Sequence, residues 1–133
     1  MAKAINWPEA FREAILAETP EQLCVAFRLG TLYSEGAYWQ DEDLVDIRCN
    51  HLKVRRGQIV GSMSIIAIGQ LTHDVLKYQK PSLQTIEAIK AFFNIYYQTA
   101  VTDETLLSVA YYRNAPLDEA YMERTPDTSG RQL

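Results

Sequence analysis

The sequence predicts an α+β fold, a small and mostly antiparallel β-barrel with flanking helices. Three observations carry that expectation. Candidate strands cluster in the middle of the chain without the regular alternation of strand and helix that builds a parallel sheet. Residues 58–68 form a long run rich in Ile and Val whose two faces are both largely apolar or small, which suits a closed, bent sheet better than an open one with a wet face. Helical periodicity appears at the start of the chain and again ahead of the last strand.

Taken in order, Trp7, Ala10, Phe11, Ala14 and Ile15 recur at helical spacing and predict an N-terminal helix, with Asn6 as its N-cap and Pro8 in its first turn. Thr19-Pro20 ends it, because the residue before a proline is pushed out of the helical region. Residues 23–29 read as a strand closed by Gly30, although the preceding Thr-Pro-Glu-Gln also reads as a helix start. Residues 34–36 and 41–43 read as loop. Tyr38 and Trp39 lie between them, either folded over the core or displayed for stacking; the large apolar surface of the rings favours the core. Residues 44–49 and 58–68 are strands, with Gly61 and Gly69 at bulge or turn positions and Arg55-Arg56-Gly57 as a hairpin-like turn before the second. Thr72 caps a short helix. Pro81-Ser82 sets the cap of a longer one striped by Leu83, Ile86, Ile89, Phe93 and Tyr96. A polar turn over 99–104 leads to a closing strand over 106–113. In each of the pairs Tyr96-Tyr97 and Tyr111-Tyr112, one ring is expected in the core and the other outside. Leu117 and Tyr121 can dock one last turn, so that residues 1–124 make one domain, and residues 125–133 are expected to fray as a tail.

Composition removes several function classes. A 47% hydrophobic content in 133 residues excludes a wholly disordered chain and supplies one core. No apolar run approaches the roughly 20 residues that span a bilayer, and the first residues lack the apolar stretch of a secretory signal, so a cytoplasmic protein without membrane attachment is expected. Cys24 and Cys49 cannot make a disulfide scaffold, no CxxC or CxxH pair is present to hold zinc, and neither metal nor cofactor is expected. The phosphate-binding, nucleophile-elbow and metalloprotease motifs are absent, and His51 and His73 lie in separate segments.

Charge is the most informative local signal. The formal net charge of −4 argues against a generic nucleic-acid coat. Position changes that reading: residues 47–73 contain Arg48, Lys53, Arg55 and Arg56, with His51 beside them, and no Asp or Glu. The rest of the chain carries nine basic against seventeen acidic residues. Such a basic island is the footprint of an anionic partner; alternatively its cations pair with Asp41, Glu42 and Asp43, where exposed pairs contribute little. Strand alternation places Asp46 and Arg48 on one face, where a carboxylate and a planar donor fork can together hold a base edge or a phosphate, or form an ordinary surface pair.

The stretch Asp41-Glu42-Asp43-Leu44-Val45-Asp46-Ile47-Arg48 resembles the Gly-x-Lys-Thr-x-Glu-x-Arg segment of ASCH domains in the PUA-like superfamily. Val60-Gly61, the Gln70-Leu71-Thr72 step, Ser82 to Ile86, Tyr96-Tyr97 and a strand led by Thr105 extend the likeness over about residues 41–113. The resemblance implies a PUA-like barrel with flanking helices and a cleft associated with RNA or nucleosides. Small ASCH proteins also include amidohydrolases that act on acylated cytidines with a lysine, a threonine and a glutamate. Asp46 takes the place of the acidic residue and Arg48 matches the arginine, while the lysine and threonine positions fall on Asp43 and Leu44, which supply neither amine nor hydroxyl. The expectation is therefore a noncatalytic domain that binds RNA or a nucleotide-like ligand at a rim built from Arg48, His51, Lys53, Arg55 and Arg56, with Asp46 beside them and Tyr38 or Trp39 stacking. The alternatives are a small amidohydrolase on modified nucleosides, and an interaction or oligomerisation module, such as a homodimer, built on exposed aromatics.

Overall fold

In a computed structural model of the chain, which describes residues 3–20 and 22–116, five strands form one mixed sheet in the order β1-β3-β4-β5-β2. They are β1 (Lys3–Trp7), β2 (Leu23–Leu29), β3 (Leu44–Cys49), β4 (Leu52–Ala67) and β5 (Leu106–Asn114). The β1–β3 pair is parallel and the other three are antiparallel. The sheet bends into a half-barrel and carries helices α1 (Arg12–Ala17), α2 (Leu32–Glu35), α3 (His73–Leu76) and α4 (Ile86–Tyr97), so the α+β expectation holds. Its two end strands, β1 and β2, do not pair, which leaves an open seam where a full barrel would close. One side chain bridges that seam: Arg28 of β2 donates from Nη2 to the Asn6 carbonyl of β1 at 3.2 Å and from Nη1 to the Phe27 carbonyl at 2.8 Å.

The expected N-terminal helix is corrected at its start. Ile5 and Trp7 alternate with Ala4 and Asn6 and are both buried, so residues 3–7 pair with β3 as a strand, and Pro8, extended at φ −62° and ψ 154°, separates it from the helical residues. Helical spacing governs only from Phe11 and Ile15 onward, and Asn6 caps nothing; its side chain accepts the His51 N–H instead. Phe11 joins Trp7, Phe92 and Tyr96 at centroid separations of 5.6 to 6.0 Å, fastening α4 to the N-terminal segment. Each such ring pair contributes about 0.5–1.5 kcal/mol beyond its buried area.

A second correction concerns the basic stretch. β4 begins at Leu52, not at residue 58, and Arg55-Arg56-Gly57 is strand rather than turn. The hairpin turn is Asn50-His51, both residues at positive φ (49° and 67°), the backbone twist that two-residue hairpins favour. Gly57 serves close packing: a Cβ there would lie 3.2 Å from the Arg113 carbonyl and from Ile47 Cδ1. Gly61, at φ +79°, sits at the expected bulge, where the register with β5 shifts between Val60 and Ser64. The bulge interrupts the alternation of the strand, for Ile59 before it is buried and Ile65 beyond it is exposed.

Smaller differences follow the same logic. Residues 34–36 belong partly to the one-turn α2. The cap of α4 is Thr85, whose hydroxyl accepts the Ala88 N–H at 3.1 Å, while Pro81–Leu83 forms a separate 3-10 turn. Tyr112 is buried as expected, Tyr111 is half-buried against the core rather than outside it, and Tyr96 and Tyr97 are both exposed, because the C-terminal turn of α4 is uncovered. The expected docking of Leu117 and Tyr121 and the tail over 125–133 lie outside the described residues.

Candidate ligand-binding face

Pairing register decides where the basic island goes. Opposed residues of neighbouring strands present their side chains on one face of the sheet. Asn6 opposes Arg48, Ala4 opposes Asp46, Asp46 opposes Arg56, and Arg48 opposes Lys53, so Asn6, Asp46, Arg48, Lys53 and Arg56 share the outer face across β1, β3 and β4. Asp46 lies beneath its neighbours with 8% of its side chain exposed, 3.4 Å from Arg48 Nη2 and 3.6 Å from Lys53 Nζ. The carboxylate therefore lies between the two cations, each of whose side chains is 34% exposed. Of the acidic residues at positions 41 to 43, Asp43 holds Lys3 at 2.7 Å and Asp41 accepts the Gly61 N–H at 2.7 Å. His51 is exposed at the hairpin tip and touches this face through its backbone N–H to Asn6 Oδ1.

Arg55 is not part of the rim. It opposes Ile47 on the inner face, is 1% exposed, and donates to the carbonyls of Ile15, Glu18 and Ala115 at 2.8 to 2.9 Å. Burial of a guanidinium demands such partners. Arg55 ties α1 and the end of β5 into the half-barrel and is removed from the candidate site for that reason. Beside it, Lys80 Nζ is wholly buried, 2.7 Å from Glu18 Oε2, 3.1 Å from the Tyr112 hydroxyl and 4.2 Å above the Trp7 ring. Burial opposes the ammonium, but the Tyr112 oxygen and the Glu18 carboxylate outweigh it and hold the Lys80 pKa above the ordinary lysine range. Burial likewise pushes the Cys24 thiol up to about 12 and raises that of Cys49, so neither cysteine is a nucleophile at neutral pH.

The seam supplies the aromatic half of the site. Trp39 is 1% exposed, folded over the core as expected, and Tyr33 and Tyr38 pack on it with centroids 5.5 and 5.3 Å away. Arg28 lies 5.4 Å from the Trp39 ring and Lys3 5.7 Å from that of Tyr38. Together with Asn6 and Tyr97, the residues Arg28, Tyr33, Tyr38 and Trp39 line a concavity of about 230 Å³. Asn6 belongs both to this concavity and to the basic face, making them one continuous surface. Of the two rings expected to stack, Tyr38 is exposed, whereas Trp39, at 1% exposure, is corrected to a core residue with no face for a base; Asn6, Arg28, Tyr33 and Tyr97 were not named as site residues from the sequence. A visible signal existed for Arg28, a cation inside an otherwise apolar strand. None existed for Tyr97, whose approach to the seam depends on how α4 docks.

Among the described residues, no group of three or more His, Cys, Asp and Glu side chains gathers to hold a metal, and no helix is long and apolar enough to cross a membrane. The bent five-stranded sheet with its flanking helices has the fold of an ASCH domain. The chain superposes on the crystal structure of an ASCH domain from Lactobacillus crispatus JV V101 with a TM-score of 0.56 and 16% sequence identity, over 79% of this chain and 70% of that one. No protein-family model and no curated protein matches the sequence.

Proposed function

We propose that this PUA-like domain is a noncatalytic binding module for RNA or a nucleotide-like ligand, which lies across the outer face of β1, β3 and β4 with its phosphates on Arg48, Lys53 and Arg56 and a base at the aromatic seam. The observation that carries the reading is the continuity of cations and rings through Asn6: single-stranded nucleic acid is held by that combination of phosphate contacts and aromatic stacking. Two residues speak for binding rather than hydrolysis. Where the resembling motif has a lysine and a threonine, this chain has Asp43, a carboxylate already held by Lys3, and Leu44, an exposed hydrocarbon.

Fluorescence anisotropy with a short labelled single-stranded RNA at low salt tests the proposal. Binding is expected to weaken with salt at a slope of about −2 in log K against log salt, the value for three phosphates at about −0.7 each. Changing Arg48→Ala and Lys53→Ala together should weaken binding of every sequence and flatten the slope to about −0.7. Absence of binding at low salt, or a slope unmoved by the double change, contradicts the assignment.

A further inference from the structure

Resting on that reading, we propose that the seam concavity admits one splayed base of the bound strand and selects it for carbonyl oxygens, taking uracil in preference to cytosine. Tyr33, Tyr38 and Tyr97 are 37%, 43% and 39% exposed, so their rings are available to an incoming flat group. A cage of rings alone would suit a quaternary ammonium. Here Arg28 and the nearby Lys3 repel a cation and favour a neutral or electron-rich ring.

Hydrogen bonding then narrows the class. The lining of the concavity contains no carboxylate. Its nitrogen groups are donors. The Asn6 amide is oriented by the hairpin: because Oδ1 accepts the His51 N–H at 2.9 Å, the end of the side chain left for a ligand is the NH₂ group, with two donors. Arg28 adds a guanidinium whose position is already set by two backbone carbonyls. Donors on the wall call for acceptors on the ligand. Opposite the Asn6 NH₂, uracil presents the C4 carbonyl oxygen where cytosine presents an amine, which would set donor against donor at that position.

The test compares labelled hexauridylate and hexacytidylate on the native chain and on Asn6→Asp. The aspartate can still accept the His51 N–H but turns the free end from donor to acceptor. The native chain should bind the uridine hexamer about tenfold more tightly, the discrimination expected of a well-placed base contact. Asn6→Asp should bring the ratio of the two affinities to one or below; the ratio is the readout, because an added carboxylate weakens both complexes. Equal affinities for the two hexamers on the native chain, or a ratio unchanged in Asn6→Asp, overturns the uracil assignment and leaves RNA binding standing. Absence of binding to either hexamer overturns the assignment together with the function on which it rests.

Discussion

Lys80 shows how a single residue organises the interior. Its ammonium, Glu18, Tyr112 and Asn114 form a chain of hydrogen bonds inside the half-barrel, with Asn114 Nδ2 donating to Glu18 Oε1 at 2.9 Å. A buried pair broken on one side leaves an uncompensated charge, so Lys80→Met should lower unfolding free energy by about 3–5 kcal/mol, whereas Lys80→Met with Glu18→Leu should recover most of it. Urea denaturation reads both. The folded lysine pKa lies above its unfolded value near 10.5, so the contribution is complete below that pH and is lost only as pH climbs through the folded value; the urea midpoint should therefore be insensitive to this pair from neutrality up to about pH 10. Nothing local announced Lys80, which sits in a polar loop between Gln79 and Pro81. The burial of Cys24 and Cys49 was legible, since each lies in an apolar strand. Arg55 was misread because three cations close together look like one patch, while the register shift between β3 and β4 at Ile47/Arg48 leaves Lys53 on the outer face and Arg55, two residues on, inward.

At the scale of elements, the hairpin of β3 and β4 sets the site. Its turn holds His51 at φ 67° without the freedom of a glycine, a conformation that costs an ordinary residue about 1–2 kcal/mol. His51→Gly should accordingly raise stability by about 0.5–1 kcal/mol in thermal or urea unfolding. Any fall in RNA affinity in that variant then measures the imidazole itself and not a damaged hairpin. Strands β2 and β3 were legible to the residue and β5 to within one, because each is a long β-branched or aromatic run bounded by turn residues. Strand β1 was not. Five residues ahead of a proline carry too little period to outweigh the helical pattern that follows, and only pairing with β3 makes them a strand.

For the molecule as a whole, the open seam is the defining feature. A bent, barrel-like sheet was readable from the two-faced apolar run in β4, but the failure of β1 and β2 to meet depends on docking across the chain, which no local pattern encodes. Arg28 stands in for the missing ladder. Arg28→Met should leave the core intact and speed hydrogen exchange of the β1 amides roughly tenfold, the loss expected from one charge-assisted bond. The candidate site was half legible for the same reason: its cations lie on neighbouring strands close in sequence, whereas its rings come from α2, the segment after it, and the end of α4.

The central claim is that one surface, running from the seam across β1 to the β3–β4 hairpin, binds a single strand of RNA. Amide and side-chain NMR shifts recorded while a short single-stranded RNA is titrated at low salt test it most directly. The account predicts perturbations concentrated at Asn6, Arg28, Tyr38, Arg48 and Lys53, with the inward Arg55 and the exposed Ile65 of distal β4 unmoved. Shifts centred on other surfaces, or none at saturating RNA, would contradict it.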